Sequence, residues 1–212
     1  ITTLFSVVIG YLIAYAMVHL VGRERNWMLT LVLISFWVSV LVRAFSWLTL
    51  LGRNGLVNAA LVGSGLVEEP ISMIRNEFGV LIGMVHYMVP YAVLPLFANM
   101  QGIDHRVMDA SRSLGAGPLL TFLRIYLPLT KPGVIAASLL VFIISLGFYV
   151  TPVLLGGGRV LMVAEYVSVQ ILVTVQWGVA AMLATLLLSG VLALLYIMSR
   201  FMNIGEVFGS RG

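Results

Sequence analysis

Apolar residues along this chain gather into five long runs separated by polar interruptions. The runs cover 1–20, 27–51, 79–100, 132–155 and about 179–201, and about 20 mostly apolar residues are enough to cross the hydrocarbon core of a bilayer as a helix. Pro132 suits the first turn of its run, where a missing N–H costs nothing. The intervening segments are 21–26, 52–78, 101–131 and 156–178, followed by a tail from Met202. Two of them hold shorter apolar stretches, 56–66 and 161–175, which predict short helices lying at or dipping into one membrane face. There is no internal repeat, low-complexity tract or composition break, so residues 1–212 read as one all-α, polytopic membrane domain.

Composition agrees with the pattern. The chain is 61% hydrophobic and 9% charged, where a soluble domain carries about 25% charged residues. Such a chain cannot cover a water-facing surface. Without cysteine, disulfides and thiolate metal sites are excluded. Residues 1–20 lack a cleavage site and are too long for a signal-peptide core. A chain that opens at Ile1 inside an apolar run is expected to begin after its natural N-terminus.

Basic residues set the expected orientation. Segments 21–26 and 101–131 with the tail from Arg200 hold Arg23, Arg25, Arg106, Arg112, Arg124, Lys131, Arg200 and Arg211, eight of the twelve basic residues. The opposite segments hold Arg53, Arg75 and Arg159, while Arg43 lies within a run. The 101–131 loop and the C-terminus are therefore expected in the cytoplasm. Topology accounts for the net charge of +4, and no nucleic-acid partner is implied.

Within the 101–131 loop, Ile103, Val107, Ala110 and Leu114 share one helical stripe. Asp104 suits an N-cap. Gly115 can take a positive φ without steric cost, allowing a sharp bend. Pro118 then suits the start of a second short helix, with Leu119, Phe122, Leu123 and Tyr126 as its stripe and Pro128 as its terminator. Two short helices joined by a glycine bend make a rigid protrusion.

The spacing of that loop carries a family signature. Asp109-Ala110-Ser111, three residues, Gly115, nine residues, then Ile125-Tyr-Leu127-Pro128 resembles the "EAA" loop of permease subunits in binding-protein-dependent ABC importers. Asp109 stands for the motif's glutamate and Ser111 for an alanine, while Gly115, Ile125, Leu127 and Pro128 are in register. Leu41–Trp47, Leu51–Asn58, Asn76–Gly79 and Phe148–Gly157 further resemble the B-type permease branch of spermidine/putrescine importers.

The resemblance implies a type I ABC importer permease fold, with five spans visible and a sixth upstream. It implies a second permease subunit, two cytoplasmic ATPase subunits, an extracytoplasmic solute-binding protein and a location in the bacterial cytoplasmic (inner) membrane. ATP and Mg would be held by the partner ATPases. This chain needs no cofactor, and it has no G-x-x-x-x-G-K-[ST] phosphate loop of its own. Residues 109–111, 115, 125, 127 and 128 would couple ATPase closure to alternating access. The implied solute is a polyamine; an opine, an amino-acid-like zwitterion or an anion would use the same machinery.

Candidates for the translocation path follow from chemistry within or beside the runs. Arg43 is a formal charge well inside a run, a functional candidate because burying it is costly; a snorkelling or ion-paired arginine is the plainer reading. Counted along one straight helix from Trp27, it falls about 24 Å in. Trp47, Tyr87, Tyr149 and Trp177 could meet a cation through their ring faces or simply anchor the interface. At Tyr149, the neighbouring Gly147, Thr151-Pro152 and Gly156–Gly158 suggest a broken helix. Glu165 could attract an amine or merely face solvent.

His19, His86 and His105 have no metal-ligand spacing and read as packing or surface residues. Gly79-x-x-x-Gly83 permits close helix approach, weakly suggesting a subunit interface. No acid lies within a run, which disfavours proton or sodium coupling and thus a stand-alone secondary transporter. No nucleophile–base pair supports an intrinsic enzyme.

Overall fold

The computed structural model describes residues 1–201, and every regular element among them is helical. The tail from Met202, including Glu206 and Arg211 expected in the cytoplasm, lies outside the described residues. The helices are α1 (Thr2–His19), α2 (Arg23–Trp37), α3 (Val40–Leu51), α4 (Leu56–Gly63), α5 (Glu77–Gln101), α6 (His105–Ser113), α7 (Pro118–Leu129), α8 (Lys131–Gly147), α9 (Val150–Gly156), α10 (Val163–Leu172) and α11 (Trp177–Phe201).

The core is a triplet of α1, α5 and α8. Small residues let these helices approach closely. A Cβ on Gly10 would stand 2.7 Å from the Ala92 Cβ, and one on Gly133 would stand 2.7 Å from the Asn99 Cβ. Met17, Met84, Met88 and Met100 fill the remaining space and are fully buried, as suits a flexible side chain between irregular surfaces. Pro90 and Pro95 lie within α5 without ending it. The helix spans 25 residues, about 37 Å at 1.5 Å per residue, and sets the distance between the two ends of the molecule.

Three helices, α1, α5 and α11, are each long and apolar enough to cross a membrane. Two of the five expected spans are instead interrupted. The 27–51 run breaks at Val38-Ser39, and the chain turns by 97° between α2 and the 40–63 segment. The Arg43 amide donates to the Ser39 carbonyl at 3.1 Å, so a new helix starts there rather than continuing the old one. The straight-helix depth for Arg43 is therefore wrong.

The 132–155 run also stops early. α8 ends at Gly147, Phe148 is extended, and α9 restarts at Val150 with Pro152 in its first turn, where the missing N–H is harmless. The break expected around Tyr149 is present. α11 packs mainly against α10, leaving most of its apolar surface uncovered within this chain.

Pro128 does not terminate the second loop helix as expected. α7 runs from Pro118 through a π-type turn at Phe122–Tyr126 and on to Leu129, then bends by 57° into α8. The Leu127 amide reaches the Phe122 carbonyl, five residues back. This wider turn carries the helix past a residue that lacks a donor. Gly83 is not evidence of a subunit interface either. A Cβ there would stand 2.6 Å from the Thr151 Cγ2 and would also clash with the Leu155 side chain, so the close approach is to α9 of the same chain.

Candidate functional site

The 101–131 segment folds into a helical hairpin whose parts all trace to named residues. The Asp104 side chain accepts from the Arg106 amide at 2.9 Å, capping α6 as expected. Gly115 takes φ +85°, and no atom approaches the position of a Cβ within 4 Å. The Gly115 amide donates to the Arg112 carbonyl at 2.9 Å and the Ala116 amide to the Ser111 carbonyl at 3.1 Å, closing the bend. Pro118 opens α7.

Inside the bend, the Ser111 and Thr121 hydroxyls meet at 2.7 Å, both residues buried. The serine that departs from the family's alanine thus ties α6 to α7. Of the apolar stripe on α6, Val107 is 44% and Leu114 is 89% exposed and Ala110 is exposed too, while Ile103 is half-buried against the core and Met108, off the stripe, is buried. Asp109 is also exposed and pairs with Arg112 at 3.6 Å.

The second arm is pinned to the end of α1. The Tyr126 ring lies edge-on to Tyr15 at 5.4 Å and stacks on Phe122 at 5.8 Å, and His19 lies 4.2 Å from Tyr15. The Tyr11 and Thr130 hydroxyls meet at 3.2 Å where α7 bends into α8. Tyr11, Tyr15 and His19 recur at four-residue intervals on α1, a stripe that foretells this seam. Ile125 is half-buried, while Leu127 and Pro128 remain exposed.

Toward the other end of α5, three path candidates meet. The Arg43 guanidinium sits 5.0 Å from the centre of the Tyr87 ring and donates to the Val38 carbonyl at 3.1 Å. Arg43 is 8% exposed, and its contacts are the ring face and the carbonyl freed by the break before α3. The Tyr87 hydroxyl meets that of Tyr91 at 3.4 Å, and its ring packs on Phe148 at 4.4 Å. The Trp47 indole N–H donates to His86 Nδ1 at 3.1 Å.

His86 is thus part of this cluster, which its isolated position in the sequence did not reveal. Trp47 and His86 also line an apolar groove of about 750 Å³ between α1, α2, α3 and α5. Tyr149 lies at the α8–α9 break, 43% exposed, and Trp177 is 64% exposed; neither joins the cluster.

Glu165 does not face solvent. It is 5% exposed in the first turn of α10, and its Oε2 has no hydrogen-bond partner among the described residues. Burial pushes its carboxyl above the ordinary glutamate value, with a hydrogen bond from the Met162 backbone opposing the shift. No cluster of metal-ligating side chains occurs among the described residues.

A family model described as "Binding-protein-dependent transport system inner membrane component" matches residues 6–203. The chain belongs to this family. It is 34% identical over 198 residues to the spermidine/putrescine transport system permease protein PotB of Haemophilus influenzae, covering 92% of this chain and 69% of that protein. Against PotB of Escherichia coli K12 the identity is 33% over 198 residues, covering 92% and 72%. A probable sulfate transport system permease protein, cysT of Prototheca wickerhamii, is 27% identical over 174 residues, covering 82% and 63%.

The fold is also that of a solved bacterial ABC transporter involved in the import of the acidic polysaccharide alginate. The TM-score is 0.66 at 17% identity, over 94% of this chain and 77% of that one. The protein is an ABC importer permease subunit of the PotB-like kind. Members of this family are not catalytic, and ATP hydrolysis takes place in separate ATPase subunits. Their general architecture pairs permeases with those ATPases and a solute-binding protein.

Proposed function

We propose that this permease imports a small organic cation of the polyamine type across the bacterial cytoplasmic membrane. The 101–131 hairpin faces the cytoplasm and docks on an ATPase subunit. The observation that carries the solute class is the identity with spermidine/putrescine permeases, which extends over 92% of the chain. The buried carboxyl of Glu165, whose Oε2 has no hydrogen-bond partner among the described residues, supports it, because such a group gains from a cationic neighbour. The positive charge of Arg43 is already engaged by Tyr87 and the Val38 carbonyl, so it opposes a cation less than a bare arginine would.

Coupling follows from the hairpin. Val107, Ala110 and Leu114 offer an exposed apolar stripe beside Asp109, suited to a cleft with a basic rim. The Ser111–Thr121 bond and the Tyr15–Tyr126 seam make the hairpin one body with α1 and α8, so ATPase closure moves these helices rather than bending a loop. Trp47, Tyr87 and Tyr149 line the path in this account.

The test is the ligand held by the genetically adjacent binding protein, identified by mass spectrometry and thermal-shift screening. Capture of spermidine or putrescine at micromolar affinity or better supports the proposal. A preference for an acidic ligand or sulfate, with polyamines inert, overturns the solute class and leaves the importer family intact.

A further inference from the structure

At the Glu77 end of α5, far from the hairpin, three arginines from three separate segments line one pocket of about 400 Å³. They are Arg53 after α3, Arg75 before α5 and Arg159 after α9. Among the described residues none of them forms an ion pair within 4.0 Å. Glu68, Glu69 and Glu77 belong to the same end of the chain and do not bridge to them.

The pocket is held in shape by hydrogen bonds to backbone groups, most of them from the Asn58 side chain, rather than by acids. Buried Asn58 donates to the Gly52 carbonyl at 3.0 Å and the Ile71 carbonyl at 2.9 Å, and its Oδ1 accepts from the Ile71 amide at 2.8 Å. The turn carrying Arg53 is thereby tied to the segment leading to Arg75. The Arg75 amide in turn donates to the Leu155 carbonyl at 2.7 Å, tying that segment to α9 and the Arg159 loop.

Arg75 itself adopts φ +59°, a conformation that L residues with long side chains rarely take and that gathers at functional sites. Its methylenes lie against Gly157, where any Cβ would stand 2.7 Å from the Arg75 Cγ. Like charges gathered this way repel one another unless an anion joins them.

We propose that Arg53, Arg75 and Arg159 form an anion site that takes a carboxylate or phosphate-type oxyanion, for which forked guanidinium donors are suited. The site rests on the orientation in which the hairpin faces the ATPases, which puts these arginines on the side where the binding protein arrives. An acidic side chain of the docked binding protein and a free anion of the outer compartment present the same oxygens. Neither α6 nor α7 contributes to the pocket, so it is separate from the coupling surface.

The test uses the complete importer in phosphatidylcholine nanodiscs, with R53Q, R75Q, R159Q and the charge-retaining R75K. Docking of the binding protein is measured by surface biosensing, and inorganic phosphate binding by the rise in melting temperature relative to chloride at equal ionic strength. A protein carboxylate as occupant predicts that docking weakens by about tenfold or more in the Gln variants. Docking by R75K, which keeps the charge but loses the fork, would fall between the unsubstituted complex and R75Q, and phosphate would compete in the unsubstituted complex.

A free anion predicts unchanged docking and loss of the phosphate-specific shift in the Gln variants. Unchanged docking together with an unchanged phosphate response overturns the site. The arginines lie in separate segments, so R53Q and R159Q carry the test if R75Q fails to fold. Stimulation of ATP hydrolysis by the binding protein in the unsubstituted complex checks the importer reading independently of these variants.

Discussion

At the Gln101 end of α5 the chain presents apolar side chains on a hairpin joined inside by a hydroxyl pair and aromatic rings. At the Glu77 end it presents arginines on turns held by amide and carbonyl clamps. The first surface suits a permanent partner that buries it as a unit and transmits force through it. The second suits a partner that comes and goes, since charged contacts speed encounter and respond to salt more than they add lasting affinity. One helix about 37 Å long thus separates the two surfaces proposed for recognition.

The largest expected effect falls on the clamped end. Asn58 is 1% exposed and makes three hydrogen bonds. Asn58→Ala leaves the Gly52 and Ile71 groups without their partner and should cost about 3 kcal/mol, read as a lower melting temperature of the purified permease. Asn58→Asp keeps the acceptor for the Ile71 amide but sets a buried carboxyl without the two N–H donors against the Gly52 and Ile71 carbonyls, so it should melt at least as low as Asn58→Ala. Equal melting of Asn58→Ala and the unsubstituted protein would mean that these turns are not held as described.

A smaller effect is expected inside the hairpin. Ser111→Ala restores the family's alanine but strands the buried Thr121 hydroxyl, at a cost of about 1 kcal/mol. Adding Thr121→Val should recover part of that loss, a coupling that a double-mutant cycle measures. Strict additivity would show that the hydroxyl pair does not join the helices. The smallest effect belongs to Asp109→Asn. Its ion pair with Arg112 has side chains 71% and 64% exposed, so stability should change by less than about 0.5 kcal/mol. Any loss of uptake in that variant then reports on the partner surface.

These contrasts also mark what could be read from the sequence. Gly115, Asp104 and Pro118 act locally, through backbone freedom, capping and a missing donor, so their spacing sufficed to place the hairpin. The Gly147–Tyr149 break was legible for the same reason. The 97° turn at Val38-Ser39 was not, because neither residue is a helix breaker and the turn is set by tertiary packing and the new helix begun at Ser39. Pro128 misled because a π-type turn upstream absorbs it. The roles of Ser111, His86 and Asn58 depend on partners 10, 39 and up to 13 residues away, beyond the reach of helical periodicity. Glu165 looked solvated because its segment is polar at the ends, yet folding buries it.

The most direct test of coupling through the hairpin is the number of solute molecules imported per ATP hydrolysed in proteoliposomes, compared between the unsubstituted importer and Gly115→Asp. The space around a Gly115 Cβ is open, so the variant meets no steric clash and carries only the backbone strain of a positive φ, about 1–2 kcal/mol. Its melting temperature, measured in parallel, should show a folded protein. The account predicts that ATP hydrolysis persists while solute imported per ATP falls by about tenfold or more, the scale of a lost geometric coupling. A folded Gly115→Asp importer with the normal ratio would contradict it.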